Sequence, residues 1–127
     1  MPSMPVIAIV DDDADIPVAV SSLVRSLGYA AECFTSAEQL LDQSDIGNLS
    51  CVISDIHMPQ MNGLQLARIL SGQAPTLPVI LMTGRSEHGL EARAREHGAV
   101  CLVSKPFALN ELDRQLRIAL GHKFSAV

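Results

Sequence analysis

The sequence predicts a doubly wound α/β domain built on a five-stranded parallel sheet. Two observations predict it. Four short runs rich in apolar β-branched residues, and a weaker fifth, recur along the chain. Helical patterns separate them. Strands that are apolar on both faces belong in a sheet covered by helices on both sides. Strict strand–helix alternation then implies right-handed crossovers and a three-layer sandwich.

The strand-like runs are 6–10, 51–54, 79–82 and 100–103, with the weaker one at 30–34. Each helix carries its own terminal signals. Pro17 suits a first turn, and Gly28 a C-terminal stop, for a helix over about 16–27. Ser36 and Gln39 have the spacing of a capping box for a short helix through Gln43. Gly63 precedes a helix over 64–70, where Leu66, Ile69 and Leu70 share a face. Gly98 ends a helix containing 92–97. Asn110 is the expected cap of the last helix, in which Leu112, Leu116 and Leu120 repeat on one side. The expectation is one domain over 1–127, with a core of about 6–120. The tail of 121–127 is too short to fold alone and leaves no room for a DNA-binding module.

Composition narrows the function. Apolar residues make up 48% of the chain and charged residues 18%, which argues against disorder. A net charge of −5 argues against direct nucleic-acid binding, which needs a basic face. No segment approaches the roughly 20 apolar residues of a membrane span. The first five residues lack the basic and apolar regions of a signal peptide, so the cytoplasm is the expected compartment. Cys33, Cys51 and Cys101 are widely spaced, without CxxC, and read as reduced, buried thiols.

Ligands of open α/β sheets bind beyond the carboxyl ends of the strands, where the strand order reverses. The first strand ends in Asp11-Asp12-Asp13, the third in Asp55, the fourth in Thr83-Gly84 and the fifth in Ser104-Lys105-Pro106. If the first and third strands are neighbours, Asp11, Asp12 and Asp55 converge, and their charges repel unless a cation joins them. Mg²⁺ takes oxygen ligands and binds through one or two carboxylates plus a phosphate oxygen. Aspartate is also a nucleophile that forms aspartyl phosphates. Phosphoryl transfer requires in-line positioning and neutralised equatorial oxygens, to which Lys105 and the Thr83 hydroxyl can contribute. Alone, each group is ordinary: an acidic turn, a strand exit, a surface lysine. Their arrival on one sheet edge is not.

These residues resemble a known family. The segments Val10-Asp11-Asp12, Ser54-Asp55-Ile56-His57-Met58-Pro59-Gln60-Met61-Asn62-Gly63, Met82-Thr83-Gly84 and Ser104-Lys105-Pro106-Phe107 are similar to the receiver domain of two-component response regulators, the CheY-like family. The likeness spans about 6–120, and the surroundings of Thr83-Gly84 and Gly98-Ala99-Val100 look most like the FixJ-type branch.

The resemblance implies a strand order of 2-1-3-4-5. It implies that Asp55 accepts a phosphoryl group from a histidine kinase's phosphohistidine, or from a small donor, in a bacterial phosphorelay. Asp12, Asp55 and the backbone carbonyl of His57 would bind Mg²⁺ (or Mn²⁺) directly, and Asp11 would hold a metal-bound water. Thr83 and Lys105 would contact the phosphoryl oxygens. The Lys105–Pro106 bond would be cis. The protein would be a switch that catalyses its own phosphorylation and dephosphorylation, not an enzyme acting on other substrates. Its partners would be a sensor kinase or phosphotransfer protein, and a downstream target or output domain docked on the face of the fourth helix, fifth strand and fifth helix. That face is also a candidate for homodimer contact.

The chain departs from the family pattern at Leu102, where an aromatic residue is usual three positions before the lysine. Three other readings compete. In a haloacid-dehalogenase-like phosphatase Asp11 would be the nucleophile, but that needs more metal-binding acids after the lysine. A flavodoxin-like nucleotide binder needs a phosphate cradle where this chain has an acidic triplet. A receiver-shaped domain that is never phosphorylated has no use for the intact acidic set.

Overall fold

The computed structural model describes residues 4–85, 87–105 and 109–124. Five strands, β1 (Val6–Val10), β2 (Ala30–Phe34), β3 (Cys51–Asp55), β4 (Val79–Thr83) and β5 (Cys101–Ser104), form one sheet. All pairings are parallel, in the order β2-β1-β3-β4-β5. The first and third strands are therefore neighbours, with Val10 opposite Ser54. Five helices connect or follow the strands: α1 (Asp15–Ser26), α2 (Ala37–Gln43), α3 (Gly63–Gln73), α4 (Leu90–Glu96) and α5 (Leu109–Phe124).

The period-2 alternation of each strand divides the apolar residues between two cores. Ala8, Val10, Val52 and Leu81 meet Leu40, Leu66, Leu70 and Leu90 from α2, α3 and α4. Ile7, Ile9, Ile53, Ile80 and Val103 meet Val20 and Val24 of α1 and Leu112, Leu116 and Leu120 of α5. Leu112 and Leu116 are fully buried. Truncating either to alanine removes packing worth about 2–5 kcal/mol. Helices cover both faces of the sheet, and the strand ends stay open between them.

Several helix termini follow the sequence signals. Gly28 and Gly98 adopt φ of +97° and +100°, the left-handed conformation that ends a helix at little cost for glycine. Pro17 lies in the first turn of α1. The Ser36 hydroxyl accepts from the Gln39 N–H at 3.0 Å. The reciprocal half of that box closes one residue early, because the Gln39 side-chain Oε1 accepts from the Thr35 N–H. The complete capping box is at α3, between Asn62 and Gln65.

Three expectations are corrected. Asn110 lies inside α5 instead of capping it, a shift of the size usual when helix ends are read from propensity. The tail expected over 121–127 begins inside α5, which continues to Phe124. An interior glycine costs only about 1 kcal/mol and still supplies its backbone hydrogen bonds. Cys33 is exposed, while Cys51 and Cys101 are buried. Cys33 lies on β2, the edge strand, which has a neighbour on one side only.

Burial also pushes the Cys101 thiol up to about 11. Iodoacetamide at pH 8 is therefore expected to alkylate native protein at Cys33 alone, and all three cysteines after unfolding. Mass spectrometry of the native reaction would contradict this placement if Cys101 reacted as fast as Cys33.

Candidate functional site

The site is assembled at the carboxyl ends of β1, β3, β4 and β5. β1 delivers Asp11, whose N–H donates to the Phe34 carbonyl at 3.1 Å. That bond continues the β1–β2 ladder one residue past the strand and fixes the Asp11 backbone. Its side chain is 1% exposed, with Oδ1 accepting from the Asp13 N–H at 2.9 Å. Asp12 is exposed, as expected for alternation at a strand end. Asp13 and Asp15 are exposed charges at the start of α1 and take no part in the cluster.

β3 delivers Asp55, which is 4% exposed. Three contacts set its position. Ile56 N–H donates to the Met82 carbonyl at 2.9 Å, and the Ser54 hydroxyl donates to the Asp55 carbonyl at 3.0 Å. Gly63, the first residue of α3, lies directly against the same carbonyl. A Cβ there would come within 2.3 Å of the Asp55 oxygen and 2.9 Å of Ile56 Cα. The loop from Asp55 to α3 can fold back this tightly only because position 63 has no side chain.

β5 delivers Lys105, whose N–H donates to the Thr83 carbonyl at 2.7 Å. Its ammonium stands between two buried acids, 3.1 Å from Asp11 Oδ2 and 3.0 Å from Asp55 Oδ1. One oxygen each from Asp11, Asp12 and Asp55 lie within 4.8 Å of one another. Three carboxylates against one ammonium leave negative charge in excess. An all-oxygen donor set with excess negative charge suits a hard divalent cation.

The titration behaviour reflects this crowding. Burial holds the Asp55 carboxyl above the usual aspartate value, the hydrogen bond from Lys105 works against that, and the Asp11 charge adds to it. For Lys105, burial disfavours the ammonium, but the hydrogen bonds and charges of Asp55 and Asp11 outweigh it and hold the amine above its ordinary value.

Thr83 is 2% exposed and reaches the same edge, but its hydroxyl is engaged locally. Oγ1 donates to the Arg85 carbonyl at 2.9 Å and accepts from the Arg85 N–H at 3.0 Å. The His57 side chain faces Glu87. Its Nε2 is buried without a hydrogen bond, 3.5 Å from Glu87 Oε1. Leu102 is half-buried and packs against the α2–α4 core. It borders a cleft of about 170 Å³ with Thr83, Glu87 and Leu90. Pro106 and Phe107 lie outside the described residues, so the expected cis bond and the end of that motif do too.

The structure thus gathers Asp11, Asp12, Asp55 and Lys105. It brings Thr83 to the same edge in a different orientation. The sequence places Gly63 before a helix and within the family motif, and the structure adds its close approach to the Asp55 carbonyl. Glu38, which accepts from the Met61 N–H at 3.3 Å across 23 residues, had no signal in the sequence.

Comparison with known proteins decides the family. The model of the response regulator receiver domain matches residues 7–117. This chain belongs to that family. Receiver domains are signalling switches of two-component systems that bind Mg²⁺ through acidic residues, and this chain brings Asp11, Asp12 and Asp55 together. Among curated receivers, the response regulator TodT of Pseudomonas putida is 39% identical over 91% of this chain. The transcriptional regulator FixJ of Bradyrhizobium diazoefficiens is 31% identical over 90%. The chain covers 51% of TodT and 56% of FixJ, so it spans about half the length of these relatives. Among solved structures, the fluoroberyllate-activated DrrB receiver domain superposes with a TM-score of 0.83 at 29% identity, covering 93% of this chain and 98% of that one.

Proposed function

We propose that this receiver accepts a phosphoryl group on Asp55 from the phosphohistidine of a sensor kinase or phosphotransfer protein, and that the modification switches the domain between two arrangements. The observation that carries this is the buried Asp55 carboxylate, 3.0 Å from an ammonium and grouped with two more acids. A buried nucleophile shielded on one side by Lys105 has its remaining oxygen for attack.

Asp12, Asp55 and the His57 carbonyl would hold a Mg²⁺ (or Mn²⁺) ion, with Asp11 binding one of its waters. When bound, the cation offsets negative charge on the transferring group. The chain's own residues do the rest. A carboxylate oxygen of Asp55 forms the new P–O bond in line with the breaking P–N bond of phosphohistidine, and the electron pair leaves on the imidazole nitrogen. The Lys105 ammonium follows the developing charge on an equatorial oxygen. The Thr83 hydroxyl, released from Arg85, donates to another. The modified Asp55 thereby draws the end of β4 inward, and the active arrangement is populated to the extent that these bonds favour it.

The relative's activation by fluoroberyllate supports this reading, since fluoroberyllate has the tetrahedral shape and charge of a phosphoryl group. The output surface would be the face of α4, β5 and α5, near Leu102. Because Leu102 replaces an aromatic residue, transmission there would rely on packing against Leu90 and not on a ring turning inward.

Incubation with Mg²⁺ and acetyl phosphate, followed by mapping of an acid-stable, base-labile label, tests the proposal. Label on Asp55 is expected. Label on Asp11 would favour phosphatase-like chemistry instead. Asp12→Ala is expected to weaken Mg²⁺ binding by about tenfold or more, since removal of even supporting groups costs that much. Unchanged affinity in a calorimetric titration would remove Asp12 from the ligand set.

A further inference from the structure

Glu87 has no place in the chemistry above, yet it makes the one carboxylate–imidazole contact among the described residues that joins the loop after β3 to the segment after β4. Its Oε1 lies 3.5 Å from His57 Nε2, and that nitrogen is shut off from solvent with no other partner. The two side chains close over a cleft of about 290 Å³ with Ile56, Leu64, Leu90 and Arg93 in its walls.

Geometry gives this pair a direction. The loop carrying His57 is anchored. Gly63 N–H donates to the Ile56 carbonyl at 2.9 Å, and Glu38 holds the Met61 N–H. The segment carrying Arg85 and Glu87 is held differently, by the two Thr83–Arg85 bonds, by the Leu90 N–H donating to the Glu87 carbonyl at 3.3 Å, and by the Glu87 side chain. Thr83 cannot turn its hydroxyl toward Asp55 without giving up both bonds to Arg85. A shift of Arg85 would pull on Glu87, two residues on, whose side chain contacts His57.

We propose that Glu87 is a positioning residue: acting through His57, it holds the segment after β4 in the resting arrangement and opposes the inward turn of Thr83. An interaction present only in the resting state lowers the population of the active one, and its removal raises it. This inference rests on the role assigned to Thr83 above.

The test uses Glu87→Ala, His57→Ala and the double variant of the full chain. Two quantities are read: hydrogen exchange at the Arg85 amide, and affinity for fluoroberyllate at saturating Mg²⁺. Each single variant is expected to speed Arg85 exchange and to tighten fluoroberyllate binding by about two- to fivefold, the size expected of a partly exposed pair. The double variant is expected to match the singles, because both remove one contact. Unchanged exchange, weaker binding, or effects that multiply in the double variant would overturn the proposal. Faster exchange in a protein that takes up no fluoroberyllate would retain the restraint on the segment and remove the phosphoryl-acceptor reading. A residue of merely structural importance would weaken binding and not tighten it.

Discussion

Asp55→Asn is expected to reduce phosphoryl acceptance from acetyl phosphate, and from any kinase, to the background of a reaction without protein. The amide keeps the volume and planar shape of the side chain but offers no anionic oxygen to form the P–O bond. The same substitution carries a stability signature with a definite sign. Burial and the Asp11 charge hold the folded-state pKa of Asp55 above the unfolded value. Below the unfolded value the carboxyl is neutral in both states, and Asp and Asn behave alike. As pH rises through the raised folded-state pKa, the native protein must carry a buried charge it resists, and stability is lost. Asparagine avoids that loss. In Mg²⁺-free buffer the variant is therefore expected to gain stability over the parent as pH rises from 4 to 7. Urea unfolding across that range checks it. A variant that becomes relatively less stable with rising pH would mean that Lys105 outweighs burial at this carboxyl.

Gly63→Ala is expected to lower stability by about 3 kcal/mol, the upper part of the range for forcing atoms into a packed site. The obstacle is backbone on two sides. A methyl group would meet the Asp55 carbonyl oxygen and Ile56 Cα, neither of which is the yielding end of a side chain. Relief requires moving either the start of α3 or the end of β3. The second shifts the nucleophile from Lys105, so surviving folded protein is also expected to modify more slowly. A fall in the urea midpoint at constant slope, with reduced labelling of Asp55, is the expected pattern. A loss under about 0.5 kcal/mol, within the range of ordinary surface changes, would show that the loop has slack the geometry does not reveal.

Much of this was legible in the sequence, for a specific reason. Buried parallel strands are apolar along their length, so an ionisable residue at the end of such a run marks where the sheet meets solvent. Val10-Asp11, Ser54-Asp55 and Ser104-Lys105 each show this break. The alternation of strands and helices supplied the rest, and the family resemblance supplied the strand order, since composition alone does not say that β1 and β3 are neighbours.

What the sequence hid depends on rotamers and long-range contacts. Nothing in Thr83-Gly84-Arg85 announces that the hydroxyl is occupied by Arg85. The approach of Glu87 to His57 joins residues on two loops, and Glu38 reaches Met61 from α2, 23 residues earlier in the chain. None of these has a periodic signature. Cys33 was misplaced because a strand's composition does not reveal its place at an edge, and the start of the tail because helix continuation depends on backbone bonding that Gly121 still provides.

The central claim is that Asp55, and not Asp11, is the group that takes a phosphoryl, with the cation bound beside it. A crystal structure of the chain soaked with Mg²⁺ and fluoroberyllate tests it most directly. Beryllium bonded to an Asp55 oxygen, with the metal on Asp12 and Asp55 and Lys105 facing a fluorine, is the predicted outcome. Beryllium on Asp11, or metal bound away from these carboxylates, would contradict it.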